Sequence, residues 1–196
     1  MAVMAGVGAL TGLISSLPSP LPELRLEEPD ILINAQGVPL HAGIVFGAGI
    51  ALMLWRWANR DPMKCLLAFA LTLIGWLVAI NTAEDVFSAV VGSDLFGTAP
   101  GAKANREMVG WLIGGLSGGA VGAGFTAFAA GIPAQVIRRT RIWAPIIASG
   151  ALLGLLLYPA VLLTAIVLLY VPWQAAVAAG IAYGLTEPWA RDLNQA

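Results

Sequence analysis

From Ile142 to Leu185 the chain runs for 44 residues without a charged side chain. As one helix rising about 1.5 Å per residue, that run would be about 66 Å long, roughly twice the hydrocarbon thickness of a bilayer. It must therefore turn inside an apolar medium. The rest of the sequence identifies that medium as lipid: 59% of the 196 residues are hydrophobic and 11% are charged, against about a quarter charged in a typical soluble domain. Backbone amides in hydrocarbon must be satisfied internally, which helices do. The expected fold is an all-α polytopic transmembrane helical bundle, a single domain over residues 1–196 with no separate soluble part.

Charged residues mark the ends of the spans, and six are expected. The first covers residues 2–18 and ends in the breaker run Pro18, Pro20 and Pro22. A secretory signal is the rival reading of this segment, although it lacks a basic n-region and a clear cleavage site. If the segment lies on the membrane surface instead, five spans remain. A polar, acidic connection with Glu23, Arg25, Glu27, Glu28 and Asp30 leads to a span over 38–57 that ends on Trp55, Arg56 and Trp57, an aromatic and basic boundary. The next span covers 65–82. A long loop through Gly92, Gly97, Pro100 and Gly101 precedes the fourth, over 108–136. The uncharged run then divides into spans over 143–169 and 173–188, with Tyr170, Pro172 and Trp173 read as the interfacial turn between them.

Orientation follows from lysine and arginine in short loops. The loops 56–64 and 138–141 each hold three basic residues, and two spans separate them, so both are expected on the cytoplasmic side of a cell (inner) membrane. With all six segments spanning, both termini are cytoplasmic as well. Ten basic and eleven acidic residues nearly cancel, which gives no electrostatic footprint for nucleic acid. Cys65 is the only cysteine, so an intrachain disulfide or a thiolate metal cluster is excluded. The expected partners are the lipid bilayer and either further copies of the chain or other membrane subunits.

Small residues recur at four-residue spacing. Gly110, Gly114, Gly118 and Gly122 form one row, with Gly115, Gly119 and Ala123 beside it, and every other proposed span carries a shorter pair. Such rows let helix backbones approach closely in lipid. Ordinary helix packing is one use; lining a pore, moving during transport or forming an oligomer axis are others. The fourth span is expected to be the central packing helix.

Polar groups at membrane depth are functional candidates. His41 falls near the outer end of the second span, and Asn81, Glu84, Asp85 and Ser88 share one face at the outer end of the third. Counted from Trp57 and Cys65, His41 and Asn81 are expected at equal depth, with Arg106 and Glu107 close enough to join. The cluster is suited to a proton relay, since an imidazole titrates near neutrality. One histidine with two carboxylates is adequate for a divalent ion, and a lone imidazole for an axial bond to a tetrapyrrole. The plainer alternative is a set of solvated helix-end residues.

No nucleophile elbow, phosphate loop or His-Glu-x-x-His pair is present. The leading expectation is a non-enzymatic membrane subunit packed through glycine faces, serving a small transporter, a channel or a larger membrane complex. A ligand-, ion- or pigment-binding protein using His41 and the outer carboxylates is the second reading, and a membrane enzyme the third.

Overall fold

A computed structural model describes residues 1–18, 40–58, 60–94, 97 and 101–186. Among them there are seven α-helices and no strand: α1 (Ala2–Ser15), α2 (Leu40–Trp57), α3 (Pro62–Val91), α4 (Ala102–Ala130), α5 (Thr140–Gly154), α6 (Leu157–Leu162) and α7 (Val167–Thr186). A 3-10 turn, Gln135–Arg138, separates α4 from α5. Five stretches are long and apolar enough to cross a membrane: α2, α3, α4, α5 with α6 taken together, and α7. The chain is thus an all-α apolar bundle of the kind that forms a multi-pass membrane protein. The acidic connection expected over 23–37 lies outside the described residues.

The expected first span is a 14-residue helix, about 21 Å long and too short to cross about 30 Å of hydrocarbon alone. It does not lie apart on a surface. A Cβ added to Gly8 would sit 2.5 Å from the Gln174 carbonyl oxygen, and one at Gly12 would sit 2.6 Å from that of Tyr170. Helix α1 therefore runs antiparallel along α7 in close backbone contact.

Several expected boundaries are corrected. Helix α3 starts at Pro62 rather than Cys65, because the Asp61 carboxylate caps it, accepting from the Met63 and Lys64 amides at 3.0 and 3.2 Å, and Pro62 needs no amide partner there. It then continues through Glu84 and Asp85 to Val91, since charged residues in the last turns of a long helix can reach the membrane edge without breaking it. Helix α4 covers 102–130 rather than 108–136. Finally, the turn within the uncharged run lies at Leu163–Ile166, where Thr164 adopts a left-handed backbone with φ +50°. Tyr170, Pro172 and Trp173 are inside α7, and both aromatic rings are buried rather than interfacial.

The long glycine row packs within the chain. Cβ atoms at Gly114 and Gly118 would each lie 2.6 Å from carbonyl oxygens of α3, those of Ala83 and Ala79, while Gly110 abuts the Phe87 ring. The adjoining row meets α5, with Gly115 against Gly154 and Gly119 against Gly150. Helix α4 is clamped on two faces, and both contacts are antiparallel. The basic turn between α2 and α3 and the basic segment Arg138 to Arg141 consequently share one end of the bundle. There Arg138 Nε donates to the Gly131 carbonyl at 2.9 Å, closing the C-terminus of α4.

Candidate functional site

Toward the other end, the helices part around a cavity of about 560 Å³. Gly115, Gly118, Gly119 and Gly154 line part of it, presenting backbone where α4 packs against α3 and α5. Aromatic residues line it as well: Trp76, Trp111, Tyr170 and Trp173. Trp76 meets Tyr170 edge to face at 5.2 Å between ring centroids and Trp173 at 6.4 Å, and Trp173 meets Phe46 at 5.5 Å. Trp173 is fixed further by its indole N–H, which donates to the Gly150 carbonyl at 3.1 Å. The C-terminal end of α1, through Ser15, Ser16 and Leu17, borders the cavity beside Leu40 and His41, and the cavity is partly open.

Polar atoms at this depth form a short network. His41 Nε2 lies 3.1 Å from the Ser15 carbonyl oxygen. Ser15 Oγ donates to the Ala42 carbonyl at 3.4 Å and accepts from Gln174 Nε2 at 3.2 Å. These bonds tie the end of α1 to α2 and α7. A carbonyl oxygen only accepts, so Nε2 carries the imidazole proton and Nδ1 of the neutral ring is left as an acceptor.

That acceptor has no partner, and it is not alone. His41 Nδ1, Trp76 Nε1 and Gln174 Oε1 are all buried without a hydrogen bond, and His41 and Trp76 are 8% and 7% exposed. Both rings line the cavity. Buried polar groups are nearly always satisfied, and in hydrocarbon each orphan costs several kcal/mol, on the order of a lost hydrogen bond to water. Two rings that border the cavity thus each hold a buried nitrogen with unused hydrogen-bonding capacity.

The expected polar cluster is only partly assembled. His41 and Glu84 line the cavity. Asn81 turns back on its own helix, donating to the Leu77 carbonyl at 2.8 Å, and Asp85 and Ser88 are exposed. Arg106 Nη1 donates to the Gly97 carbonyl at 2.9 Å, with Nε buried and unpartnered, and Glu107 pairs with Lys103 at 3.8 Å. The expected equal depth of His41 and Asn81 fails because α3 begins one turn earlier. Gly43 accordingly packs on Leu73 and Trp76, and Gly47 on Phe69, which sets His41 near Trp76 and leaves Asn81 farther along. No group of three or more histidine, cysteine or acidic residues suited to a metal ion occurs among the described residues.

Trp76, Tyr170, Trp173, Ser15 and Gln174 are not candidates on sequence grounds. Gln174 carries a usable signal, as the only glutamine within the uncharged run from Ile142 to Leu185. The aromatic residues carry none, because the same ring types mark membrane interfaces and buried cores. No family model, no curated protein and no solved structure matches the chain.

Proposed function

We propose that this chain is a non-enzymatic integral membrane protein that binds a small, largely apolar molecule within the bundle, using His41 and Trp76 as its polar contacts. The single observation that carries this reading is that two rings bordering one cavity, those of His41 and Trp76, each hold a buried nitrogen without a hydrogen bond. A volume of about 560 Å³ falls within the range typical of small-molecule sites. Glycine backbone and aromatic rings give the mostly apolar lining, with few polar groups, that such sites share.

Transport, or service as a subunit of a larger membrane complex, is a use to which such a site lends itself. The glycine rows support an intrachain role, since α3, α5 and α7 already occupy them; assembly with other copies would use a different surface. A tetrapyrrole held through His41 Nδ1 is one form the ligand can take.

The test is extraction of the protein purified from its native membrane in mild detergent, followed by mass spectrometry and an optical spectrum. The expected result is a small molecule enriched over bulk lipid and depleted in the His41→Leu and Trp76→Phe variants. Extracts identical in wild type and both variants would refute the assignment of the site, and a visible absorption band would identify a pigment.

A further inference from the structure

The cavity wall is electrically one-sided. Among the described residues no lysine or arginine lines it, and Glu84 is the one acidic side chain that does. Glu84 is half-buried on α3, and the ion pairs formed among the described residues, Lys64 with Asp61 and Lys103 with Glu107, leave it without a cation. Arg106 directs its guanidinium to Gly97 instead. A carboxylate beside an apolar space, with no counter-ion from the protein, is stabilised by any cation that enters that space, because the low dielectric leaves their attraction largely unscreened.

The aromatic lining suits the same guest. Trp76, Trp111, Tyr170 and Trp173 all border the cavity, and Trp111 is held in place by stacking on Phe87, with centroids 4.0 Å apart and ring planes 27° from parallel. Faces of tryptophan and tyrosine attract organic cations, most strongly when water is excluded. In the antiparallel pairing of α3 with α4, Gly114 meets Ala83 and Gly110 meets Phe87. Trp111 and Glu84 therefore belong to the same level of the bundle. An anionic head group would meet the Glu84 carboxylate with no basic residue among the described lining to offset it, and a neutral one would gain nothing from it.

We infer that the ligand is a lipophilic organic ammonium, its apolar body against the lining glycines and its positive nitrogen paired with Glu84 beside Trp111. This rests on the cavity being a ligand site and adds the charge of the ligand. His41 and Trp76 border the cavity deeper in the bundle, against the body of the guest.

The test uses the full chain in lipid nanodiscs, with empty nanodiscs as the blank, and titration calorimetry of aminoadamantane, adamantanol and adamantane carboxylate. These probes share one apolar body and differ in charge. The amine should bind at least about tenfold more tightly than the alcohol, as expected for an ion pair at low dielectric, and the carboxylate most weakly. Glu84→Gln should abolish the advantage of the amine and leave the affinity for the alcohol unchanged. Asp85→Asn removes the same charge from the adjacent exposed position and should leave the order intact. Equal binding of amine and alcohol would overturn the cationic assignment while the cavity reading stood. An amine preference that survives Glu84→Gln, or that disappears equally in Asp85→Asn, would overturn it in the same way. Absence of binding by all three probes would overturn the cavity reading as well.

Discussion

The imidazole of His41 and the backbone of Ser15 are joined by a hydrogen bond of 3.1 Å, Nε2 to carbonyl oxygen, across the meeting point of α1 and α2. This bond fixes the tautomer and turns the acceptor nitrogen of the ring away from the backbone. It also makes the last turn of α1 part of the site, since Ser15, Ser16 and Leu17 border the cavity beside His41. A helix of 14 residues, too short to span by itself, thus acquires a role by being clamped on α7 through Gly8 and Gly12.

The clamp between α3 and α4 gives a sharp contrast between glycines. A methyl group at Gly118 would lie 2.6 Å from the Ala79 carbonyl oxygen and 2.9 Å from the Ala83 Cβ, whereas one at Gly6 meets nothing within 4 Å. Gly118→Ala should lower stability by about 1–3 kcal/mol through forced separation of the helices. Gly6→Ala should be neutral or raise stability by about 0.5–1 kcal/mol through helix propensity. Reversible unfolding in mixed micelles measures both; equal effects of the two substitutions would contradict the packing described for α4.

Gln174 tests how fully the polar network is satisfied. Its side chain is completely buried, with Nε2 bonded to Ser15 Oγ and Oε1 bare. Hydrogen bonds between membrane helices contribute only about 0.6 kcal/mol on average, less than the cost of about 1–3 kcal/mol for an unsatisfied buried acceptor. Gln174→Leu should therefore be neutral or stabilising in thermal unfolding. A strong loss of stability would show that Oε1 is occupied in the native protein.

The position of the last turn is open to the same kind of measurement. Thr164 is exposed and carries φ +50°, a conformation that costs a non-glycine residue about 1–2 kcal/mol. Thr164→Gly should raise the unfolding midpoint. If the chain turned at Pro172 instead, the substitution would fall inside a helix and lower it.

The fold class is legible in the sequence because it rests on composition and on the spacing of charges, and both depend only on the thickness of the bilayer. Boundaries are less so. Charge suggests a span end, yet Glu84 and Asp85 ride the later turns of a 30-residue helix. The earlier start of α3, at Pro62, sets the turn around Trp76 rather than Asn81 beside His41. Aromatic residues mislead for a related reason: Tyr170 and Trp173 look like an interfacial belt in the sequence but belong to the buried cluster with Trp76 and Phe46. Glu84 and His41 both stand out in the sequence as intramembrane polar groups. What joins them is a cavity formed by several separate segments, which no local pattern encodes.

Orientation depends on the two basic segments sharing one face of the membrane. In a Cys65→Ser background, cysteines at Asp94 and at Thr140 should react with an impermeant reagent from opposite sides, the Thr140 position from the cytoplasm. Reaction of both from one side would contradict the topology, and reaction of Thr140 from outside would invert it.

The most direct measurement of the central claim is an experimental density map of the full chain in a lipid nanodisc, at a resolution that shows side chains. The account predicts non-protein density in the cavity, among the lining glycines and aromatic rings, within hydrogen-bonding distance of His41 Nδ1 and Trp76 Nε1. A cavity collapsed by side-chain repacking, or one in which ordered water alone satisfies both nitrogens, would contradict it.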